Sequence, residues 1–334
     1  MNALEKAWYQ RRSWSLLLAP LSWLFTYLAK KRRNYLQRHR KALQTPVIVV
    51  GNITVGGTGK TPLIISLVKA LQHKGYHPGV VSRGYGGKSP FYPLQVTPES
   101  NPFYCGDEPL LIARSCACPV MVDPDRYRAA KLLQDSGTCD LILSDDGLQH
   151  YNLPRMLEIV VVDGERMLGN GWCLPAGPLR EPVSRLEEVD FVIINGGGDT
   201  LNHPHQYRMD LQPLAFRNLN TGEVLEPKNP PGSDSVHAVA GIGNPARFAR
   251  TLASLGLAVR LHPFPDHHDF CASDLHFDDD RPVIVTAKDA VKCAGFTSGQ
   301  SSLDNVWVLD VAARLENNGM NTLVQAIEAL VTQS

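Results

Sequence analysis

Short apolar runs bounded by glycine, proline or acidic residues recur along the chain: "PVIVVGN" (46–52), "PGVVSR" (78–83), "PVMVD" (119–123), "DLILSDD" (140–146), "LEIVVVD" (157–163) and "DFVIING" (190–196). Runs that are apolar at every position, rather than at every second one, suit strands covered on both faces. Stretches of helical period separate them, which predicts a parallel sheet flanked by helices. The pattern breaks at "GGGDTLNHPHQ", after which "YRMDLQPLAFRNLNTGEVLEP" (207–227) alternates around Asn220-Thr221-Gly222 and predicts a hairpin. From Ser235 the α/β rhythm resumes with "VHAVAGIG", a helix from Pro245 to about Leu255, "AVRLHPF", "PVIVTAK", "VWVLDV" and a closing helix near 320–332. The expected organisation is an N-terminal region (1–44), a first α/β domain (45–205), a hairpin linker (206–230) and a smaller α/β lobe (231–334).

The N-terminal region is patterned differently. "WSLLLAPLSWLFTYLA" (14–29) is mostly apolar and aromatic, and it lies among Lys6, Arg11, Arg12, Lys30, Lys31, Arg32, Arg33, Arg38, Arg40 and Lys41. Those ten cations face one acid, Glu5, so residues 1–45 carry +9 while the other 289 carry −9 and the whole chain carries zero. A bilayer-spanning helix needs about 20 apolar residues, and this run is shorter and interrupted by Pro20. A helix lying in an anionic membrane surface fits the pattern; a helix buried against the protein's own core is the alternative. A cleaved signal peptide fits poorly, because the heavier charge follows the apolar run and no small-residue cleavage site comes after it. The seven cysteines include no C-x2-C pair and read as reduced thiols of a cytosolic protein.

"GNITVGGTGKTP" (51–62) follows the first apolar run and opens a helix, as in the phosphate-binding loop G-x-x-x-x-G-K-[ST]. There, backbone N–H groups cradle phosphates, the lysine reaches their oxygens and the hydroxyl holds Mg²⁺. Gly59, Lys60 and Thr61 end the motif correctly, but Thr54 stands where the first glycine belongs, and Gly56 and Gly57 supply the flexibility. The expected nucleotide contacts are Gly56, Gly57, Thr58, Gly59, Lys60 and Thr61, on a sheet of the P-loop NTPase type. "GGTGKT" also resembles the loops of ParA/MinD ATPases, which carry a lysine where this chain has Val55.

Phosphoryl transfer asks for a carboxylate on Mg²⁺ and a group that takes the acceptor proton. Asp145 and Asp146 end an apolar run, where ligands sit in open α/β sheets, although two aspartates before Gly147 also suit a turn. Asp107 and Glu108 precede a helical stretch, where one acid is expected as a cap; spacing does not separate that from catalysis. "FPDHHDF" sets His267 and His268 between Asp266 and Asp269, as a solvated loop, a weak metal site or a base with carboxylate partners. Arg126 and Arg128 are candidate phosphate contacts or plain surface residues, and "SRGYGG" is a turn or a ligand-facing backbone.

"GNITVGGTGKTP", "SRGYGG", "GDEP", "DDGLQH", "GNGWCLPAGPLREP", "AGIGNPARF", "DHHDF" and "TAKDAVK" occur in the order seen in the tetraacyldisaccharide 4′-kinases of lipid A biosynthesis, which the chain resembles over most of its length. The resemblance implies a kinase that uses ATP and Mg²⁺ to phosphorylate the 4′-hydroxyl of tetraacyldisaccharide 1-phosphate, giving lipid IVA, at the cytoplasmic face of the Gram-negative inner membrane. It implies no nucleic-acid partner, and membrane contact that is peripheral or made through a single N-terminal anchor. It places Lys60 among the catalytic residues, Thr61, Asp145 and Asp146 on the metal, and Glu108 and Glu181 near it. It makes Asp107 the base, assisted by His267. Family members usually read T-E-K-D-A-V-K where this chain has Ala287 for the glutamate. Two other readings remain: a membrane-bound ATP-driven switch and a soluble small-metabolite kinase.

Overall fold

The computed structural model describes residues 3–10, 13–232, 234–293, 296 and 304–332. Arg11 and Arg12 of the basic arm lie outside the described residues. Contacts divide the chain into two compact units, neither of them continuous in sequence: unit 1 comprises Met1–Arg83, Cys118–Asp210 and Arg314–Ser334, and unit 2 comprises Gly84–Ala117 and Leu211–Ala313. The expected linear division at the hairpin therefore does not describe the contacts. The chain enters unit 2 once already after residue 83, and its closing helix returns to unit 1.

Unit 1 begins with α1 (Ala3–Trp8), a 3-10 turn (Trp14–Leu18) and α2 (Ala19–Arg38). Pro20 sits in the first turn of α2, where its missing N–H costs nothing, so it starts the helix instead of interrupting it. The strands β1 (Val47–Gly51), β2 (Pro78–Ser82), β4 (Val120–Val122), β5 (Leu141–Asp145), β6 (Leu157–Asp163) and β7 (Phe191–Asn195) form a parallel sheet in the order β7-β6-β1-β5-β2-β4. β8 (Gln206–Asn218) begins parallel to β7 and continues into unit 2. All residues of β1, β2, β4, β5, β6 and β7 are buried, which explains their mostly apolar composition. α3 (Lys60–His73) buries Leu63, Ile64, Leu67, Val68 and Leu71, one stripe at helical spacing. α6 (Arg126–Ser136) is capped by Asp125 and closed by Gly137 in the left-handed region. α9 (Gly319–Val331) packs with α3.

Unit 2 takes β3 (Leu94–Val96), α4 (Pro102–Cys105) and α5 (Asp107–Ser115) from its first segment. Its second segment supplies β10 (Ser235–Ala240), α7 (Pro245–Ser254), β11 (Ala258–Pro263), β12 (Val283–Thr286), α8 (Ala287–Cys293) and β13 (Val306–Leu315). The strands run parallel in the order β11-β10-β12-β13. The expected hairpin is present as β8 pairing antiparallel with β9 (Val224–Leu225). α5 packs against α8, and that contact assigns residues 84–117 to unit 2.

Unit 1 buries a charge network beside its sheet. Arg185 is 2% exposed; its guanidinium meets Glu158 of β6, Glu181 at 3.3 Å and Tyr151 at 3.3 Å. Arg155 reaches the other oxygen of Glu158 at 2.9 Å. Removing one member of a buried pair leaves an uncompensated charge. Arg185→Met should cost about 3 kcal/mol in urea unfolding, and adding Glu158→Gln should recover part of it. A midpoint equal to the wild type would show that the network contributes nothing.

Candidate functional site

In unit 1, β5 lies between β1 and β2, so the C-terminal ends of three neighbouring parallel strands carry the loop after Gly51, Asp145 with Asp146, and Ser82. Ser82 Oγ donates to Asp145 Oδ2 at 3.2 Å. The loop answers the question of Thr54. Val55 N–H donates to Pro178 O at 2.9 Å and Arg180 N–H to Ile53 O at 2.7 Å, while Thr54 bridges Leu179 in antiparallel fashion. The position that is glycine in the usual loop is here extended and paired, and its side chain is buried, so a β-branched residue fits it.

The rest of the loop is fixed by side chains of unit 1. Asn52 Nδ2 donates to Gly56 O at 3.2 Å, Gln149 Nε2 to Asn52 O at 3.0 Å, and Asn195 Nδ2 to Thr58 O at 2.9 Å. Gly56 and Gly59 adopt φ of 97° and 91°, and a Cβ on Gly59 would stand 2.2 Å from Asn195 Nδ2. Lys60 and half-buried Thr61 then open α3, whose N-terminus favours an anion.

Asp146 adopts φ of 48°, a turn that sends its carboxylate back over the loop. Lys60 Nζ lies 3.2 Å from its Oδ1 and Arg180 Nη1 3.2 Å from its Oδ2. Arg126, buried, holds the Asp146 carbonyl at 2.8 Å. Burial alone would raise the Asp146 pKa; Lys60, then Arg180 and Arg126, outweigh it and hold the carboxyl well below its ordinary range. Arg126 also touches His150 Nδ1 at 3.3 Å, and burial followed by that cation pulls His150 down to about 4. Arg128 is instead a surface residue paired with Asp123 at 2.5 Å.

Oxygen donors suit Mg²⁺, which is ordinarily held by one or two carboxylates together with substrate phosphates. Asp146 Oδ1 is buried beside the Lys60 ammonium at 3.2 Å, and Asp146, Asp145 and Thr61 together offer oxygen donors of that kind. The described residues contain no group of three or more His, Cys, Asp or Glu arranged as a metal site. The other two expected ligands are engaged: Glu181 accepts from Gln149 Nε2 at 2.7 Å, from Tyr151 and from Arg185, and Glu108 pairs with Lys288 at 2.8 Å.

Unit 2 brings Asp107 and His267 together across 160 positions, with His267 Nδ1 3.2 Å from Asp107 Oδ2. Gly106, not Asp107, is the N-cap of α5, so the carboxylate is not used up as a cap. Lys292 Nζ approaches the same Oδ2 at 3.4 Å. Burial works to raise the Asp107 pKa, and the His267 hydrogen bond with Lys292 and Lys288 reverses this, leaving it lowered. His267 is raised, chiefly by that hydrogen bond, against burial and Lys288. The glycines of "SRGYGG" and "GDEP" allow the two backbones to touch: a Cβ on Gly106 would meet Tyr85 O at 2.6 Å, and one on Gly87 would meet Tyr104 O at 2.6 Å. The Tyr85 ring packs 5.0 Å from that of His267. Ala287 starts α8 and packs, half-buried, on the apolar cluster of β10, β12 and β13.

The family model for tetraacyldisaccharide-1-P 4′-kinase matches residues 14–329. The chain belongs to the tetraacyldisaccharide 4′-kinase family. Curated tetraacyldisaccharide 4′-kinases are similar throughout: that of Alkalilimnicola ehrlichii is 51% identical over 95% of this chain and 94% of its own, and that of Methylobacillus flagellatus 49% over 94% and 92%. The crystal structure of LpxK from Aquifex aeolicus in complex with ATP has a TM-score of 0.77 at 27% identity, covering 95% of this chain and 99% of that one. This kinase is thus a phosphotransferase with a mostly parallel α/β fold.

Arg180, Gln149 and Asn195 escaped the reading of the sequence of this kinase, because each reaches its partner from a distant strand end or loop. "LPAGPLREP" was the available signal, and it carries Arg180. Gly59→Ala should weaken nucleotide binding at least about tenfold in calorimetry, since the strained φ and the Asn195 clash displace the loop amides. Unchanged affinity would mean that these amides do not hold the phosphates.

Proposed function

We propose that this kinase transfers the γ-phosphoryl group of ATP, with Mg²⁺, to the 4′-hydroxyl of a tetraacylated glucosamine disaccharide 1-phosphate. The observation that carries the assignment of roles is the Asp107 carboxylate of unit 2, ionised, with both His267 and Lys292 on Oδ2. Among the described residues Oδ1 has no partner, so it is free to accept the proton of the attacking hydroxyl. The hydroxyl oxygen bonds to the γ-phosphorus as the bond to the β,γ-bridging oxygen breaks, ADP leaves with that electron pair, and the proton passes to Asp107. In unit 1 the loop amides of Gly56–Lys60, the Lys60 ammonium and the N-terminus of α3 hold the phosphates. Thr61 and the Asp145/Asp146 pair would hold Mg²⁺, which when bound would supply neutralisation of charge on the transferring group. Glu181 keeps Gln149 in place under the loop.

Following phosphate transfer to the acylated disaccharide tests this directly. Asp107→Ala should lower kcat by about 10²-fold or more with ATP affinity retained, and a wild-type kcat would remove Asp107 from the chemistry. ATP hydrolysis indifferent to the disaccharide would favour the switch reading instead.

The N-terminal arm supports work at a lipid surface. α1 and α2 are tied to unit 1 by Trp8 Nε1 donating to Pro175 O at 2.9 Å and Ser22 Oγ to Cys173 O at 2.8 Å. Leu17, Trp23 and Tyr27 nonetheless stay exposed at 82%, 67% and 63%, with Leu21, Leu24 and Leu28 beside them. No described helix is long and apolar enough to cross a membrane. The exposed stripe with Lys30, Lys31 and Arg32 suits insertion into an anionic interface. The protein should sediment with vesicles containing anionic lipid, and Trp23→Glu with Leu24→Glu should release it; co-sedimentation of that double variant at wild-type level would overturn the proposal.

A further inference from the structure

Lys288, on α8, stands within hydrogen-bond reach of three acceptors, all within unit 2. Its Nζ lies 2.8 Å from Glu108 Oε1, 3.1 Å from Asp266 Oδ1 and 3.3 Å from His267 Nε2. An ammonium has three donors and no lone pair, so the three neighbours match its three protons. Toward the imidazole it can only donate. His267 Nε2 must then present its lone pair, and the ring proton must sit on Nδ1, which faces Asp107 Oδ2 at 3.2 Å.

We propose that Lys288 is a positioning residue that fixes His267 as its neutral Nδ1–H tautomer, so that the ring's only N–H proton is donated to Asp107 Oδ2 and Oδ1 is left for the acceptor hydroxyl. This rests on the reading of Asp107 as the base. Three further observations support it. The carboxylates that would favour a second proton on the ring, Glu108 and Asp266, stand 3.8 and 3.9 Å from Nε2, and both are already engaged at shorter range by Lys288. His267 is held at φ of 61°, a left-handed conformation costly for a non-glycine residue, with its N–H donating to Gly241 O at 3.3 Å. Its ring direction is therefore imposed by its surroundings. Lys292 adds a second donor on the same side of Asp107, anchored by a 2.7 Å hydrogen bond to His268 O.

The readout that a merely structural lysine would not move is the ring itself. In full-length protein labelled with ¹⁵N-histidine, with the His267 signal assigned by its loss in His267→Gln and the pH set well above the raised pKa of the ring, Nε2 should be unprotonated and Nδ1 protonated. In Lys288→Met the Nε2 resonance should shift toward the protonated form, and kcat should fall about tenfold or more, part of what a base contributes, with the KM for ATP unchanged. Lys288→Arg, which keeps a donor, should restore most of both. A protonated Nε2 in the wild type would overturn the proposal, even if Lys288→Met failed to fold, and so would identical ring spectra of wild type and Lys288→Met. If Asp107→Ala kept full activity while the ring spectra behaved as expected, the base reading would fall and the tautomer assignment would stand.

Discussion

The structure of unit 1 turns on two backbone hydrogen bonds, from Val55 to Pro178 and from Arg180 to Ile53. They pull the first half of the phosphate loop into an extended pairing with "LPAGPLREP", and the same pairing delivers Arg180 to the Asp146 carboxylate. Once the loop is held from outside, its first residue need not be glycine. The glycines that remain indispensable are those at positive φ, and Gly59 is also where the Asn195 side chain leaves no room for a Cβ. The altered loop is therefore supported differently from the usual one, by pairing with a second segment.

In both units, buried or half-buried carboxylates of the candidate site and of the core network are matched by cations. Asp146 meets Lys60 on one oxygen and Arg180 on the other. Asp107 receives His267 and Lys292 on one oxygen. Glu158 is met on both oxygens by arginines.

Much of the fold was legible in the sequence, because strands buried on both faces are mostly apolar: "LEIVVVD" is β6 residue for residue. The three-residue β3, "LQV", is buried only at its last position, so no apolar run marked it. The division into units was not legible, since it depends on α5 meeting α8 and α9 meeting α3, contacts between segments far apart in the chain. The same limit applied to the site. The loop, Asp145 and Asp146 announced themselves through local spacing, whereas the pairing of Asp107 with His267 spans 160 positions and was reached only through family resemblance. Lys288 stood in a quoted motif, but nothing local to it indicates three acceptors.

The interleaving of the two units has a consequence for synthesis. Unit 1 closes only with residues after 313, and unit 2 needs residues 84–117 together with 211–313. A nascent chain that has passed residue 210 has therefore finished neither, although most strands of unit 1 have already emerged. Domains that are continuous in sequence can fold one at a time as they leave the ribosome, an option closed here. Until α9 is made, the face of α3 that it packs against stays uncovered.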